Sequence, residues 1–166
     1  YIVFTSGTTG VPKAAALSQR AFVNRVKNWI MLFGQKYHTD QNDCLIARGA
    51  FVHVTSVCMT FGAHALGGRS IILDGFTPAD MVDIYEKYPI TWGSMDPSMI
   101  DRFCDEIDSR GPDWKPAGVR VCGALLDPAP NVRLKRLSLA LRAPLFNSYG
   151  STEISFYTFS YGCLQQ

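Results

Sequence analysis

The chain has 166 residues, of which 47% are hydrophobic, 12% aromatic and 18% charged. This length predicts one domain, and the composition predicts that it folds, because disordered chains carry fewer apolar residues and more net charge. The 16 basic and 14 acidic residues give a net charge of only +2 without any basic run, which disfavours nucleic-acid binding. The apolar stretches are shorter than the roughly 20 residues that a membrane-spanning helix needs.

The cysteines and histidines lack the spacing of a metal site. The odd number of cysteines, with no Cys-x-x-Cys pair, predicts buried free thiols in a reducing, cytoplasmic compartment and no transition metal. These residues are Cys44, Cys58, Cys104, Cys122 and Cys163, and His38, His53 and His64.

Short β-rich runs alternate with longer helical patterns, which predicts an α/β fold of strand-helix units with a mostly parallel sheet flanked by helices. Residues 1–5 predict a strand that ends in a Gly/Thr loop. A helix is expected to begin after Ser18, its N-cap, and to stop at Gly34. The first unit is therefore predicted to be strand, loop, helix.

The later elements are predicted from the same two periodicities. Further strands are expected at 44–47, 70–73, 90–95, 119–123 and 145–149. Helices are expected at 54–66, 78–88, from 97 onward, and at 129–141. Asp96 before Pro97 predicts a helix cap and not a catalytic carboxylate. A solvated basic face is expected on the last helix at Arg133, Lys135, Arg136 and Arg142.

The segment from Thr5 to Lys13 reads Thr-Ser-Gly-Thr-Thr-Gly-Val-Pro-Lys. Two glycines let the backbone turn sharply and point its amides at an anion, and the hydroxyls and the lysine add donors. The spacing differs from a Walker A loop, which disfavours a Walker-type kinase or GTPase. The alternative is a Gly/Thr-rich surface turn. The predicted polyphosphate-binding residues are Thr5, Ser6, Gly7, Thr8, Thr9, Gly10 and Lys13.

A second motif runs from Asn147 to Glu153 and reads Asn-Ser-Tyr-Gly-Ser-Thr-Glu. Tyr149 offers a flat face for a purine, and Thr152 can donate a hydrogen bond to a phosphate. The carboxylate of Glu153 is a hard oxygen ligand that suits Mg²⁺. The alternative is a turn followed by a helix N-cap.

These two motifs, in this order, resemble those of the adenylate-forming superfamily, which contains acyl-CoA synthetases, adenylation domains and luciferases. Gly123-Ala124 resembles the Gly-Ala loop at the adenine pocket of that family. His53, within residues 51–54, stands where the family often has a histidine near the substrate carboxylate. The resemblance extends over essentially the whole chain.

The resemblance also implies a role for each matching residue. Adenine would stack on Tyr149 and be bordered by Asn147, Gly123 and Ala124. The implied catalytic residues are Thr152, Glu153, His53 and Lys13, with Glu153 as the Mg²⁺ ligand. The remaining implied nucleotide-binding residues are the phosphate loop, Gly150 and Ser151. Pro12-Lys13-Ala14 departs from the more usual Pro-Lys-Gly.

The implied reaction is ATP-dependent activation of a carboxylic acid as an acyl-adenylate, followed by transfer to a thiol of coenzyme A or of a carrier-protein pantetheine. Residues 50–53 contain no acid that could neutralise a substrate ammonium, which favours an acyl-CoA ligase acting on a fatty, aryl or other simple acid. The alternatives are an amino-acid adenylation domain of a peptide synthetase and a non-catalytic nucleotide-binding fragment.

The expected extent of the chain is a single, partial AMP-binding domain over residues 1–166, without the C-terminal domain. The family's ribose-binding Thr-Gly-Asp segment is not found, residues 154–166 carry no recognised motif, and the first residue is not Met. The low charged fraction agrees with this expectation, because surface that faces other parts of a domain carries fewer charges.

Overall fold

The computed structural model describes the backbone of residues 1–5, 10–34, 37–47, 51, 53–73, 75–124, 131–152 and 155–164. Side chains are described over the same ranges apart from 97, 124, 131, 147–150 and 155–164. The strands are β1 (Ile2–Thr5), β2 (Lys13–Ala16), β3 (Cys44–Ala47), β4 (Arg69–Ile72), β5 (Trp92–Met95), β6 (Val121–Ala124), β7 (Leu145–Ser151) and β8 (Ser155–Leu164). The helices are α1 (Gln19–Trp29), continued by a π-helical turn (Ile30–Gly34), α2 (Val54–Ala65), α3 (Pro78–Lys87), α4 (Pro97–Arg110) and α5 (Asn131–Leu141).

The main sheet has six strands in the order β4-β3-β5-β6-β7-β8. The first five strands in this order are parallel, and β8 pairs antiparallel with β7. The predicted α/β class with a mostly parallel sheet is therefore confirmed. In such a sheet the carboxyl ends of the parallel strands lie at one edge, where ligands commonly bind.

Side chains of the central strands alternate between two hydrophobic cores on opposite faces of the sheet, as expected for strands covered on both sides. Ile46 and Leu145 belong to the core under α3, α4 and α5. Leu45, Trp92 and Phe146 belong to the core under α1 and α2. The sheet is consequently the middle layer of three.

The sequence predicted that the phosphate-loop segment leads directly from a strand into a helix, and the structure differs. Instead, β1 and β2 form a separate antiparallel hairpin whose last pair is Thr5 with Lys13. Three alanines are a weak strand signal, so the sequence did not predict β2. Residues Lys13–Ala16 are extended because they pair with β1. The hairpin rests on α2 through a small core of Val3, Leu17, Val54 and Cys58.

Most of the predicted elements are confirmed with shifts of one or two residues at their ends. The predicted caps are also present: Ser18 accepts a hydrogen bond from Ala21 N, and Asp96 accepts one from Met99 N. The strand at 145–149, predicted as the last, corresponds to β7 and is followed by another strand. A long strand, β8, follows β7 in a segment for which the sequence predicted no element.

Arg133, Lys135 and Arg142 are exposed, as predicted, and two arginines of α5 also form ion pairs. The Arg133 guanidinium lies 2.8 Å from Asp101 of α4, and Arg136 lies 2.7 Å from Asp105 and 2.5 Å from Asp108. The carboxylates raise the pKa of Arg136 by accepting its hydrogen bonds. These ion pairs join α5 to α4 across the surface of the second helical layer.

Four of the five cysteines have described side chains, and all four are free and buried, as predicted: Cys44, Cys58, Cys104 and Cys122. The side chain of Cys163 lies outside the described residues. No helix in the described part of the chain combines the length and the hydropathy needed to cross a bilayer.

Candidate functional site

The phosphate loop connects the two strands of the β1–β2 hairpin. Its first and last residues face each other, because Thr5 pairs with Lys13 and the Thr5 Oγ1 donates to the Lys13 carbonyl at 3.3 Å. Gly10 has φ of 79°, a left-handed conformation that favours glycine, and the Lys13 side chain is exposed. The predicted phosphate ligands Ser6, Gly7, Thr8 and Thr9 lie outside the described residues. The hairpin thus places an exposed lysine at the mouth of the loop.

The second motif lies on β7 and in the turn that follows it. Asn147, Tyr149, Gly150 and Ser151 belong to the strand, and Thr152 lies in the turn toward β8. The alternative interpretation of this motif as a helix N-cap is wrong, because residues 147–151 belong to a strand and the next element that the structure describes is β8. Glu153, the predicted Mg²⁺ ligand, lies outside the described residues.

The Gly-Ala segment and the second motif are neighbours in the sheet. Ala124, the last residue of β6, pairs with Asn147 of β7, so β7 continues for four residues beyond the carboxyl end of β6. A Cβ at Gly123 would lie 2.6 Å from the Phe146 ring. A larger residue at position 123 would force the buried Phe146 ring to shift, so core packing favours glycine there independently of any bound nucleotide.

His53 lies at the amino end of α2, shortly after the carboxyl end of β3. It occupies the N-cap position with an exposed side chain that makes no capping hydrogen bond. His53 is therefore not a buried residue of the hydrophobic core. Tyr1 of the hairpin contacts this segment, since its hydroxyl donates to the Phe51 carbonyl at 2.6 Å.

Arg25, a buried residue of α1, belongs to neither motif and was not predicted as a site residue. Only 5% of Arg25 is exposed, and its guanidinium donates to the Thr152 carbonyl at 2.7 Å. A signal for it was present: Arg25 and Trp29 follow Phe22 at helical intervals of three and seven, so a cation occupies the apolar face of an amphipathic helix. This hydrogen bond joins the helix that follows the phosphate loop to the second motif.

Cys58 lies in the small core beneath the hairpin and is fully buried. Burial raises the pKa of the Cys58 thiol to about 11, against the opposing effect of the positive charge on Arg25. Burial, and then the proximity of Cys58, also raise the pKa of the Tyr1 hydroxyl. Both groups are therefore neutral at pH 7, and thiolate chemistry is not expected at this position.

Glu153 is the predicted oxygen ligand for Mg²⁺. Over the residues that the structure describes, there is no cluster of three or more His, Cys, Asp or Glu side chains able to hold a metal ion. The chemistry of the motif nevertheless suits Mg²⁺, because carboxylate and hydroxyl oxygens are hard ligands and a nucleotide supplies phosphate oxygens to the same ion. The assignment of Glu153 as that ligand stays a prediction.

The chain matches known enzymes over nearly its full length. Residues 1–165 match the family described as AMP-binding enzyme. The D-alanine--D-alanyl carrier protein ligase of Listeria monocytogenes serotype 4b (strain F2365) is 31% identical over 159 residues, which cover 92% of this chain and 30% of the ligase. Pyochelin synthetase PchF of Pseudomonas aeruginosa (strain UCBPP-PA14) is 32% identical over 113 residues, which cover 66% of this chain and 6% of PchF.

Solved structures show the same fold. The nonribosomal peptide synthetase FmoA3, in a form bound to α-methyl-L-serine-AMP, superposes with a TM-score of 0.82 at 19% identity, covering 100% of this chain and 18% of that one. O-succinylbenzoate coenzyme A synthetase (MenE) from Bacillus subtilis, in complex with ATP and magnesium, superposes with a TM-score of 0.76 at 21% identity, covering 96% of this chain and 32% of MenE. The chain spans less than a third of the curated relatives described above. The predicted resemblance is confirmed, and the chain belongs to the AMP-binding enzyme family of adenylate-forming ligases.

Proposed function

We propose that the protein carrying this chain uses ATP to activate a carboxylic acid. A carboxylate oxygen attacks the α-phosphorus, the bond to pyrophosphate breaks, and an acyl-adenylate and pyrophosphate are formed. The observation that supports this most directly is the 2.7 Å hydrogen bond between Arg25 and Thr152, which joins α1, the helix that follows the phosphate-loop hairpin, to the second motif. The bond connects the two segments that we propose as the adenylation site, and we assign both to a single, partial AMP-binding domain.

Transfer of an adenylyl group to a carboxylate depends mainly on positioning the reactants and on neutralising the charge of the phosphates. The exposed Lys13 and the left-handed Gly10 suit a polyphosphate at the mouth of the hairpin. We assign the α-phosphate to the Thr152 hydroxyl and Mg²⁺ to Glu153. Bound there, Mg²⁺ would supply charge neutralisation at the phosphates.

The adenine is proposed to lie beside the edge where Ala124 pairs with Asn147, near Tyr149 and Gly123. We assign the substrate carboxylate to the neighbourhood of His53, whose exposed side chain is available for a hydrogen bond. A neutral or charged imidazole can donate to a carboxylate oxygen and orient it toward the phosphorus. Lys13 is the second proposed catalytic cation, on the phosphate side.

The acyl group is proposed to pass next to the thiol of coenzyme A, forming a thioester and releasing AMP. This choice rests on the absence of an acid in residues 50–53, which leaves a substrate ammonium without a partner in that segment. The substrate class that fits is a fatty, aryl or other simple carboxylic acid.

A second candidate is an amino-acid adenylation domain that loads a carrier-protein pantetheine. The names of the relatives favour it, since they include a D-alanyl carrier protein ligase and a nonribosomal peptide synthetase. The two candidates share the adenylation step and differ in the acid and in the thiol.

The test is exchange of labelled pyrophosphate into ATP by the full-length protein, measured against a panel of fatty, aryl and amino acids. Exchange with simple acids, followed by AMP release that needs coenzyme A, is the expected result. Exchange that responds only to amino acids would favour the second candidate. Magnesium-dependent ATP binding without exchange would identify a non-catalytic nucleotide-binding module, and neither binding nor exchange would refute the proposal.

Matched variants connect the exchange to the assigned residues. Glu153→Gln and Lys13→Ala are each expected to lower the exchange rate by about 10²-fold or more, the usual effect of removing one electrostatic contact to a transition state. Glu86→Gln on α3 and Lys27→Ala on α1 remove the same charges from exposed positions and are expected to leave the rate unchanged. Equal rates in all four variants would contradict the assignment.

A further inference from the structure

Arg25 is a cation held inside the molecule. It lies on α1 with 5% of its surface exposed, and the same face of the helix carries Trp29, which is 1% exposed. An aliphatic side chain would fill this position without the cost of removing a guanidinium from water. The contacts that Arg25 makes must therefore offset the free energy of removing its guanidinium from water.

The contact given by the geometry is to the backbone of the second motif. The Arg25 guanidinium donates to the Thr152 carbonyl at 2.7 Å, across 127 residues of sequence. That carbonyl belongs to the peptide bond that joins Thr152 to Glu153. A charge-assisted hydrogen bond of this length is among the stronger kinds in proteins and restrains the plane of the peptide that accepts it.

The other end of the connection is the phosphate-loop hairpin. The Ser18 cap of α1 follows β2 after a single intervening residue, Leu17, whose amide donates to the Tyr1 carbonyl at 2.8 Å. The hairpin, α1 and Arg25 are thus one continuous piece of structure. Any change in the position of α1 relative to β7 would be transmitted to the turn at Thr152.

We propose that Arg25 is a positioning residue of the adenylation site: it holds the Thr152 carbonyl and so sets the backbone from which the Thr152 side chain acts on the nucleotide, next in sequence to Glu153, the proposed Mg²⁺ ligand. The inference rests on the proposed function and deepens it. Arg25 acts through Thr152, which directly precedes the proposed Mg²⁺ ligand, so its removal should mainly affect the step that depends on the phosphates and Mg²⁺. Binding of the carboxylic acid should change little.

The experiment compares Arg25→Met, Arg25→Lys and the control Arg20→Met in the full-length protein, by pyrophosphate exchange and by thermal unfolding. Arg20 is an exposed residue of the same helix. Arg25→Met is expected to lower kcat by about 10²-fold, the usual cost of misplacing a catalytic group by about 1 Å. It should also raise the Mg²⁺ concentration for half-maximal rate, while KM for the acid stays within about twofold. Arg25→Lys should recover part of the rate, because an ammonium can still donate one hydrogen bond.

A purely structural role would lower the melting temperature of Arg25→Met and leave the kcat, KM and Mg²⁺ dependence of the folded protein at wild-type values, and this result would overturn the proposal. If Arg25→Met does not fold, the same comparison is decided by Arg25→Lys. Absence of exchange in the wild-type protein would instead refute the proposed function, and the role of Arg25 with it. The two failures are therefore distinguishable.

Discussion

The contact between Gly62 and Trp29 allows a sharp test of how tightly α1 and α2 pack. A Cβ added at Gly62 would lie 2.3 Å from Cε3 and 2.7 Å from Cδ2 of the Trp29 ring. The ring is 1% exposed, and its centroid lies 4.9 Å from that of Phe33 and 6.0 Å from that of Trp92. The indole therefore has no free space into which it can move.

Two opposing effects decide the result of Gly62→Ala. Alanine favours a helix interior over glycine by about 1 kcal/mol, which would stabilise α2. Overpacking a rigid core costs about 1–3 kcal/mol, and carbon atoms prefer separations of about 3.5–4.0 Å, so the Cβ or the ring must shift by roughly 1 Å or more. The upper end of that range applies here, and we expect a net loss of about 2 kcal/mol in the free energy of unfolding.

Urea unfolding followed by tryptophan fluorescence measures this loss. Gly34→Ala is the matched control, because its nearest neighbours are Leu66 methyl carbons at 3.8 and 3.9 Å, and its effect should stay within about 0.5 kcal/mol. Adding Trp29→Phe to Gly62→Ala should give less destabilisation than the sum of the single changes. A Gly62→Ala protein as stable as wild type would refute the reasoning.

Three further predictions concern stability. Burial raises the pKa of Cys58 and Cys104 to about 11, so these thiols lose their protons at lower pH in the unfolded state than in the folded state. The free energy of unfolding should therefore fall as pH rises from about 9 to about 11, by roughly 2–3 kcal/mol for each thiol. Thermal unfolding across this range should show a shallower fall for Cys104→Ala than for wild type, and equal slopes would contradict the assignment. Arg136→Gln should lower the free energy of unfolding by less than about 1 kcal/mol, because Arg136 and its partners Asp105 and Asp108 are all more than a third exposed. This loss should shrink in high salt. Thr77→Ala removes a capping box with Asp80 at the start of α3 and should cost about 1 kcal/mol; an unchanged urea midpoint would show that this cap adds nothing.

Much of the fold was predictable because local signals agreed with the tertiary structure. Ser18 and Asp96 cap the helices that their positions predicted, and β3 occupies the predicted residues. The β2 strand was missed because its residues are extended only through pairing with β1, which no local pattern reveals. The β8 strand was missed for the same reason, since it is held by antiparallel pairing with β7, which had been predicted as the last strand.

The site was predicted unevenly for a related reason. Motif residues can be found in a sequence because their types and spacing carry the chemistry, and the pairing of Ala124 with Asn147 brings two of these segments together. Arg25 belongs to no motif, and its contact with Thr152 depends on how α1 is placed against the end of β7. A cation on an apolar helix face is the only trace that such a residue leaves in the sequence.

The separation of the β1–β2 hairpin from the main sheet has a consequence for local opening. Its ladder includes no strand of the six-stranded sheet, so detaching it from α2 would break none of the hydrogen bonds that hold that sheet. Within the described residues, the contacts that retain the hairpin include the small core around Val3 and Cys58, the bond from Tyr1 to Phe51 and the packing of the Tyr1 ring against Phe22. Amide hydrogens of β1 and β2 should therefore exchange with solvent through a cheaper opening than those of β3 and β5, which are released only when the whole sheet unfolds.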